Sequence, residues 1–184
     1  MENNIKKIVI LGPESTGKST LCTELATHYK TIWVKEYARE YLEKIGTAYT
    51  FESLHEIAVG QLLSEQDGYI SLLKKDVAQS KIPFFIDTDL HVIKIWSEFV
   101  FNKCDNRILT TIAKKKYDLY LLCHIDLPWV KDNLREYPDI VTRQNLFSYY
   151  KEEMIEQSTL WKIIKGSYSE RLQNAINIVD EILK

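Results

Sequence analysis

One octapeptide constrains this chain more than any other feature. Gly12-Pro13-Glu14-Ser15-Thr16-Gly17-Lys18-Ser19 follows directly on the β-branched apolar run Ile5–Leu11 and satisfies G-x-x-x-x-G-K-[ST] without substitution. The two glycines let the backbone curl tightly enough to aim its N–H groups inward as a nest for phosphate oxygens. A helix beginning near Lys18 adds its positive N-terminal end. The expected contacts of a bound triphosphate are Gly12 together with Glu14, Ser15, Thr16, Gly17, Lys18, Ser19 and Thr20. Lys18 reaches the β- and γ-phosphates, and the Ser19 hydroxyl ligates Mg²⁺. The expected cofactors are therefore ATP and Mg²⁺.

Strand-like and helix-like patterns alternate along the rest of the chain. Leu21, Cys22, Leu25 and Tyr29 fall at helical spacing over residues 18–29, and residues 31–34 read as a short second strand. Residues 52–75 carry the stripe of a long amphipathic helix, and residues 83–87 a third strand with Pro83 at its tolerated first position. Helices are predicted over 90–101 and 105–116, and strands over 117–124 and 160–165. A final helix follows Gly166, with Ser167 and Glu170 at capping-box spacing. Short, continuous apolar strands separated by helices predict an α/β fold of the P-loop NTPase type: a five-stranded parallel sheet with helices on both faces. In such sheets ligands sit beyond the carboxyl ends of the strands.

Composition narrows the class. The 184 residues carry 24 Lys+Arg against 26 Asp+Glu, a formal charge of −2, which speaks against a general nucleic-acid binder. No uncharged apolar run approaches the roughly 18 residues of a membrane span, and the first residues lack the layout of a signal peptide. Cys22, Cys104 and Cys123 are widely separated and form no CxxC, so neither a disulfide framework nor a structural zinc site is expected, and a reducing cytoplasm is the expected compartment. The length favours one domain, residues 1–184, with a small lid at about 126–145.

Carboxylates stand where the sheet should meet its ligand. The third strand runs into Asp87-Thr88-Asp89: Asp87 is the natural Mg²⁺ partner, and Asp89 either points at an acceptor hydroxyl or caps the next helix. The second strand leads to Glu36, Tyr37 and Arg39. There a carboxylate can accept a hydroxyl proton and an arginine can clamp an oxyanion, or the same residues form a solvated helix with Glu36–Glu40 spacing. After the fourth strand, prolines bracket Arg135 and lead to Arg143, an arrangement suited to lid arginines that close over the phosphates, with Trp129 as a hinge anchor. Trp33, Tyr37 and Trp96 lie on the acceptor side, where a cationic or nucleobase-like ring needs aromatic faces, and Gln61 offers an amide partner.

Taken together, GPESTGKST, KEYAREYLE, the Gly60-Gln61 pair, FFIDTDLHVIKIW, YDLYLLCHIDLPWVKDNLRE and GSYSERL resemble the nicotinamide-riboside kinase domain of NadR-type proteins, from about residue 6 to about residue 180. The resemblance implies a fold related to nucleoside and adenylate kinases and ATP-dependent phosphorylation of the ribose 5′-hydroxyl of nicotinamide riboside to its mononucleotide. By position it assigns Lys18 and Ser19 to ATP·Mg²⁺, Glu36, Arg39, Asp87 and Asp89 to acceptor and metal, and Arg135 to the lid. Bifunctional relatives place an adenylyltransferase domain before this one. Few residues precede the first strand here, so adenylylation by this chain is not expected. Lys35 stands where such relatives can carry Trp, which leaves another nucleoside or vitamin-like alcohol open as acceptor. A nucleotide-dependent switch acting through a protein partner is the alternative outside enzymology.

Overall fold

The computed structural model describes residues 4–74 and 81–184. Five parallel strands, β1 (Ile5–Leu11), β2 (Trp33–Val34), β3 (Ile82–Asp87), β4 (Leu119–Cys123) and β5 (Trp161–Ile164), form one sheet in the order β2-β3-β1-β4-β5. The octapeptide thus leaves the central strand. β1 pairs Ile10 with Asp87 of β3 and Leu11 with Leu122 of β4, so three strand ends finish side by side.

Helices cover both faces: α1 (Lys18–His28), α2 (Tyr37–Ile45), α3 (Phe51–Leu73), α4 (Leu90–Phe101), α5 (Asn106–Lys114), α6 (Ile140–Glu156) and α7 (Tyr168–Leu183). The two-residue period of a strand divides the core. Val9, Leu11, Phe84, Ile86 and Leu122 pack with Leu72 of α3, Ile95 of α4 and Met154 of α6. Ile8, Ile10, Phe85, Leu119 and Leu121 pack on the other face with Leu21 and Leu25 of α1 and Ala175 and Val179 of α7. Both faces being dry explains why these strands read as unbroken apolar runs. Each fully buried Ile or Phe contributes about 1.5–3 kcal/mol relative to exposure. A third cluster, centred on Leu54, Ile57, Leu90 and Ile108, joins α2, α3, α4 and α5 beside the sheet.

Helix starts follow local chemistry. Thr50 and Ser53 form a capping box on α3, and Ser167 and Glu170 form the predicted one on α7. Several elements differ from the sequence reading. α6 begins at Ile140, inside the stretch predicted as lid, because Asp139 caps it by accepting the Thr142 N–H at 2.8 Å. Its buried positions are Arg143, Leu146, Tyr150 and Met154; with an arginine among them, the apolar periodicity is too sparse to announce a helix. β2 shrinks to two residues. Residue 75, the predicted end of the long helix, lies outside the described residues, and α3 is capped at Lys74. Among the described residues no helix is long and apolar enough to cross a membrane.

Candidate active site

The loop after β1 owes its shape to backbone that few residues adopt. Gly12 has φ +136°, and a Cβ there would lie 2.7 Å from the Cys123 carbonyl oxygen; Gly17 has φ +78° and opens α1. Ser15 takes a left-handed φ of 56° between them. The Thr16 hydroxyl donates to the Pro13 carbonyl at 2.7 Å and closes the turn. Arg171 of α7, buried behind the loop, completes it. Its guanidinium donates to the carbonyls of Thr16 (2.7 Å), His124 (2.8 Å) and Gly166 (2.8 Å), and also to Asp126. Sequence reasoning assigned Arg171 no role. Its signal is faint: an arginine beside Leu172 on the inward side of an amphipathic helix.

Lys18 Nζ folds back onto its own loop, donating to the carbonyls of Gly12 at 2.9 Å and Pro13 at 3.0 Å. Ser19 Oγ donates to Asp87 Oδ2 at 2.5 Å, while Asp87 Oδ1 is buried with no hydrogen-bond partner. Burial, reinforced by the charge of Glu36, pushes the Asp87 carboxyl up to about 7, against the pull of Lys18 and Ser19. A buried carboxylate oxygen without a partner beside a serine hydroxyl is a donor set that suits a hard divalent cation. Glu36 precedes α2 and makes no side-chain capping bond; it lines the same cavity as Asp87.

That cavity, of about 580 Å³, runs from the phosphate loop, Ser19 and Thr20 to a wall of Val92, Ile95, Trp96, Phe99, Tyr137, Leu146 and Tyr150. Trp33, Glu36, Tyr37 and Arg39 line its flank. The Trp96 indole N–H donates to Tyr49 Oη at 2.9 Å, and Tyr49 in turn donates to Glu136 at 2.8 Å, so the ring is held by its polar edge with its apolar body on the cavity.

The stretch between β4 and α6 has no helix and lies against the loop. Glu14 accepts the N–H groups of Glu136 (3.0 Å) and Tyr137 (3.3 Å), and Ser15 Oγ accepts the Val130 N–H at 2.8 Å. Arg135 Nη1 donates to the Val130 carbonyl at 2.5 Å and to Ser15 Oγ at 3.4 Å, and lines the cavity. Arg39, half-exposed, pairs with Asp132 at 2.8 Å and with Glu43 at 3.3 Å.

A family profile described as an AAA domain matches residues 7–171, most of the chain. The chain belongs to this family. The AAA-domain chain is also similar to NadR: it is 26% identical over 97% of its length to the trifunctional NAD biosynthesis/regulator protein NadR of Escherichia coli K12, and 27% identical over 97% to that of Salmonella typhimurium LT2. It spans 43% of each of those proteins. Among solved structures, a NadR protein in complex with NR superposes with a TM-score of 0.78 at 23% identity, covering 97% of this chain and 49% of that one. Deoxyadenosine kinase from M. mycoides with bound dCTP superposes with a TM-score of 0.58 at 14% identity, covering 95% and 99%. The α/β fold is thus that of P-loop kinases.

Within this AAA-domain chain three predicted contacts lie away from the cavity. Gln61 is 1% exposed, lines no part of the cavity, and bonds backbone groups through both ends of its amide. Asp89 caps α4, accepting the His91 N–H and the Tyr120 hydroxyl at 3.0 Å each; the capping alternative holds. Arg143 is buried in α6, donates to the Leu127 carbonyl at 3.3 Å, and places its guanidinium 5.5 Å from the centre of the Trp129 ring. It holds the segment through the Leu127 carbonyl and the Trp129 ring and does not line the cavity.

Proposed function

We propose that this protein is an ATP-dependent kinase that phosphorylates the ribose 5′-hydroxyl of nicotinamide riboside. The observation carrying the reading is that one cavity joins a phosphate nest to an aromatic slot, with Glu36 and Asp87 lining it. Similarity to NadR along nearly the whole chain supports the choice of acceptor, as does the fold shared with a NadR protein bound to NR.

In this reading the loop N–H groups bind the β- and γ-phosphates, and Lys18 exchanges the Gly12 and Pro13 carbonyls for phosphate oxygens. Ser19 and Asp87 would hold Mg²⁺, which when bound neutralises charge on the transferring group. Glu36 accepts the proton of the attacking hydroxyl. Arg135 turns from the Val130 carbonyl toward the phosphates, and the segment carrying it, the lid, excludes water. Trp96, Phe99 and Tyr150 face the pyridinium ring, whose charge favours aromatic faces.

Incubation of purified protein with ATP, Mg²⁺ and nicotinamide riboside is expected to give the mononucleotide and ADP in equal amounts by mass spectrometry. Turnover of a different nucleoside or alcohol, with none of nicotinamide riboside, moves the reading to that acceptor. Nucleotide binding without any transfer leaves a switch.

A further inference from the structure

Gln61 lines no part of the cavity, yet its amide is attached to the residues that directly follow the two cavity carboxylates. Its Oε1 accepts the N–H of Tyr37, next after Glu36, at 2.9 Å, and its Nε2 donates to the carbonyl of Thr88, next after Asp87, at 3.0 Å. The sheet alone does not hold these ends together. β2 and β3 pair only at Trp33–Phe85 and Val34–Ile86, so the ladder stops short of Glu36. Thr88 is itself strained: a β-branched residue at φ 67°, held by its N–H on the Ile10 carbonyl at 3.0 Å and by Gln61. The neighbouring position fits the same purpose. Gly60 lets the Tyr37 ring lie on the α3 backbone, where a Cβ would come within 2.1 Å of it.

We propose that Gln61 is a positioning residue, a strut on α3 that spans the ends of β2 and β3 and sets the separation of Glu36 from Asp87. The inference rests on the phosphoryl-transfer reading for its effect on turnover, but not for the geometry it describes. An amide fits the task because one planar group supplies an acceptor at one end and a donor at the other; methionine of similar length supplies neither in useful strength.

The test compares wild type with Gln61→Met in two assays. In steady-state kinetics the expected result is a kcat lowered at least tenfold, with the KM for ATP within twofold. In calorimetry with AMP-PNP, the affinity without magnesium stays within twofold, whereas the gain on adding Mg²⁺ shrinks severalfold. Gln61→Met/Thr88→Gly should recover several-fold of the lost kcat, since glycine holds a positive φ without strain. The strut is overturned if Gln61→Met keeps both its kcat and its magnesium-dependent gain. It is equally overturned if kcat, magnesium-free affinity and melting temperature fall together, or if the double variant recovers nothing. A wild type that transfers no phosphate to nicotinamide riboside sinks the acceptor assignment alone; the magnesium-dependent binding then decides the strut by itself.

Discussion

Asp87 sits 1% exposed at the end of β3, and its carboxyl titrates near 7 chiefly because burial penalises the charged form. A carboxyl whose pKa is raised by folding stabilises the fold most below its unfolded value of about 3.8, and that contribution disappears as pH rises through about 7. The ligand-free protein therefore carries a destabilising charge at pH 8. Asp87→Asn is expected to raise its melting temperature there by a few degrees, with little change at pH 4, while turnover falls at least about a hundredfold. Melting curves at the two pH values and a steady-state assay check both halves; an unchanged melting point at pH 8 contradicts the account. The phosphate-loop residues were readable because their chemistry is contiguous in the chain. Gln61 was not, because a polar side chain looks the same in sequence whether its partner is a ligand or a backbone group 27 residues away, as Thr88 is from Gln61; Asp89 was legible only as a choice between acceptor contact and helix cap.

Between elements, the phosphate loop and the stretch between β4 and α6 hold one another. The Glu14 and Ser15 side chains accept the N–H groups of Val130, Glu136 and Tyr137, so two residues predicted as nucleotide contacts also serve as a clasp. Removing Glu14 leaves the Glu136 and Tyr137 amides without that acceptor, at a cost of about 1–3 kcal/mol in this contact. Glu14→Ala is expected to speed tryptic cleavage after Lys131 and Arg135 several-fold without lowering the global melting point by more than a few degrees. Equal digestion rates count against the clasp. α6 is itself tied to α4: Glu153 binds His91 Nδ1 at 2.6 Å, and also Lys94. None of this was visible in the sequence. Residues 126–139 offer no periodicity, and α6 hides its inward face behind Arg143.

For the molecule as a whole, the sequence determined far more. Five apolar runs and the helices between them predict a parallel, doubly covered sheet, and the observed order places β1 at its centre. The outcome is robust because dry faces demand continuous apolar strands, a pattern hard to mistake once the first loop is placed. Phe85, fully buried between Trp33 on β2 and Ile8 on β1, tests how far that core acts as one body. Phe85→Ala is expected to cost about 3–5 kcal/mol, seen as a lower urea midpoint with an unchanged m-value; a cost under about 1 kcal/mol would mean that face of the sheet repacks freely. The brevity of β2 has a last consequence. With only Trp33 and Val34 laddered at that border, a foreign strand seeking to extend the sheet finds almost no template there, which guards this flank against fibre growth even in a crowded solution.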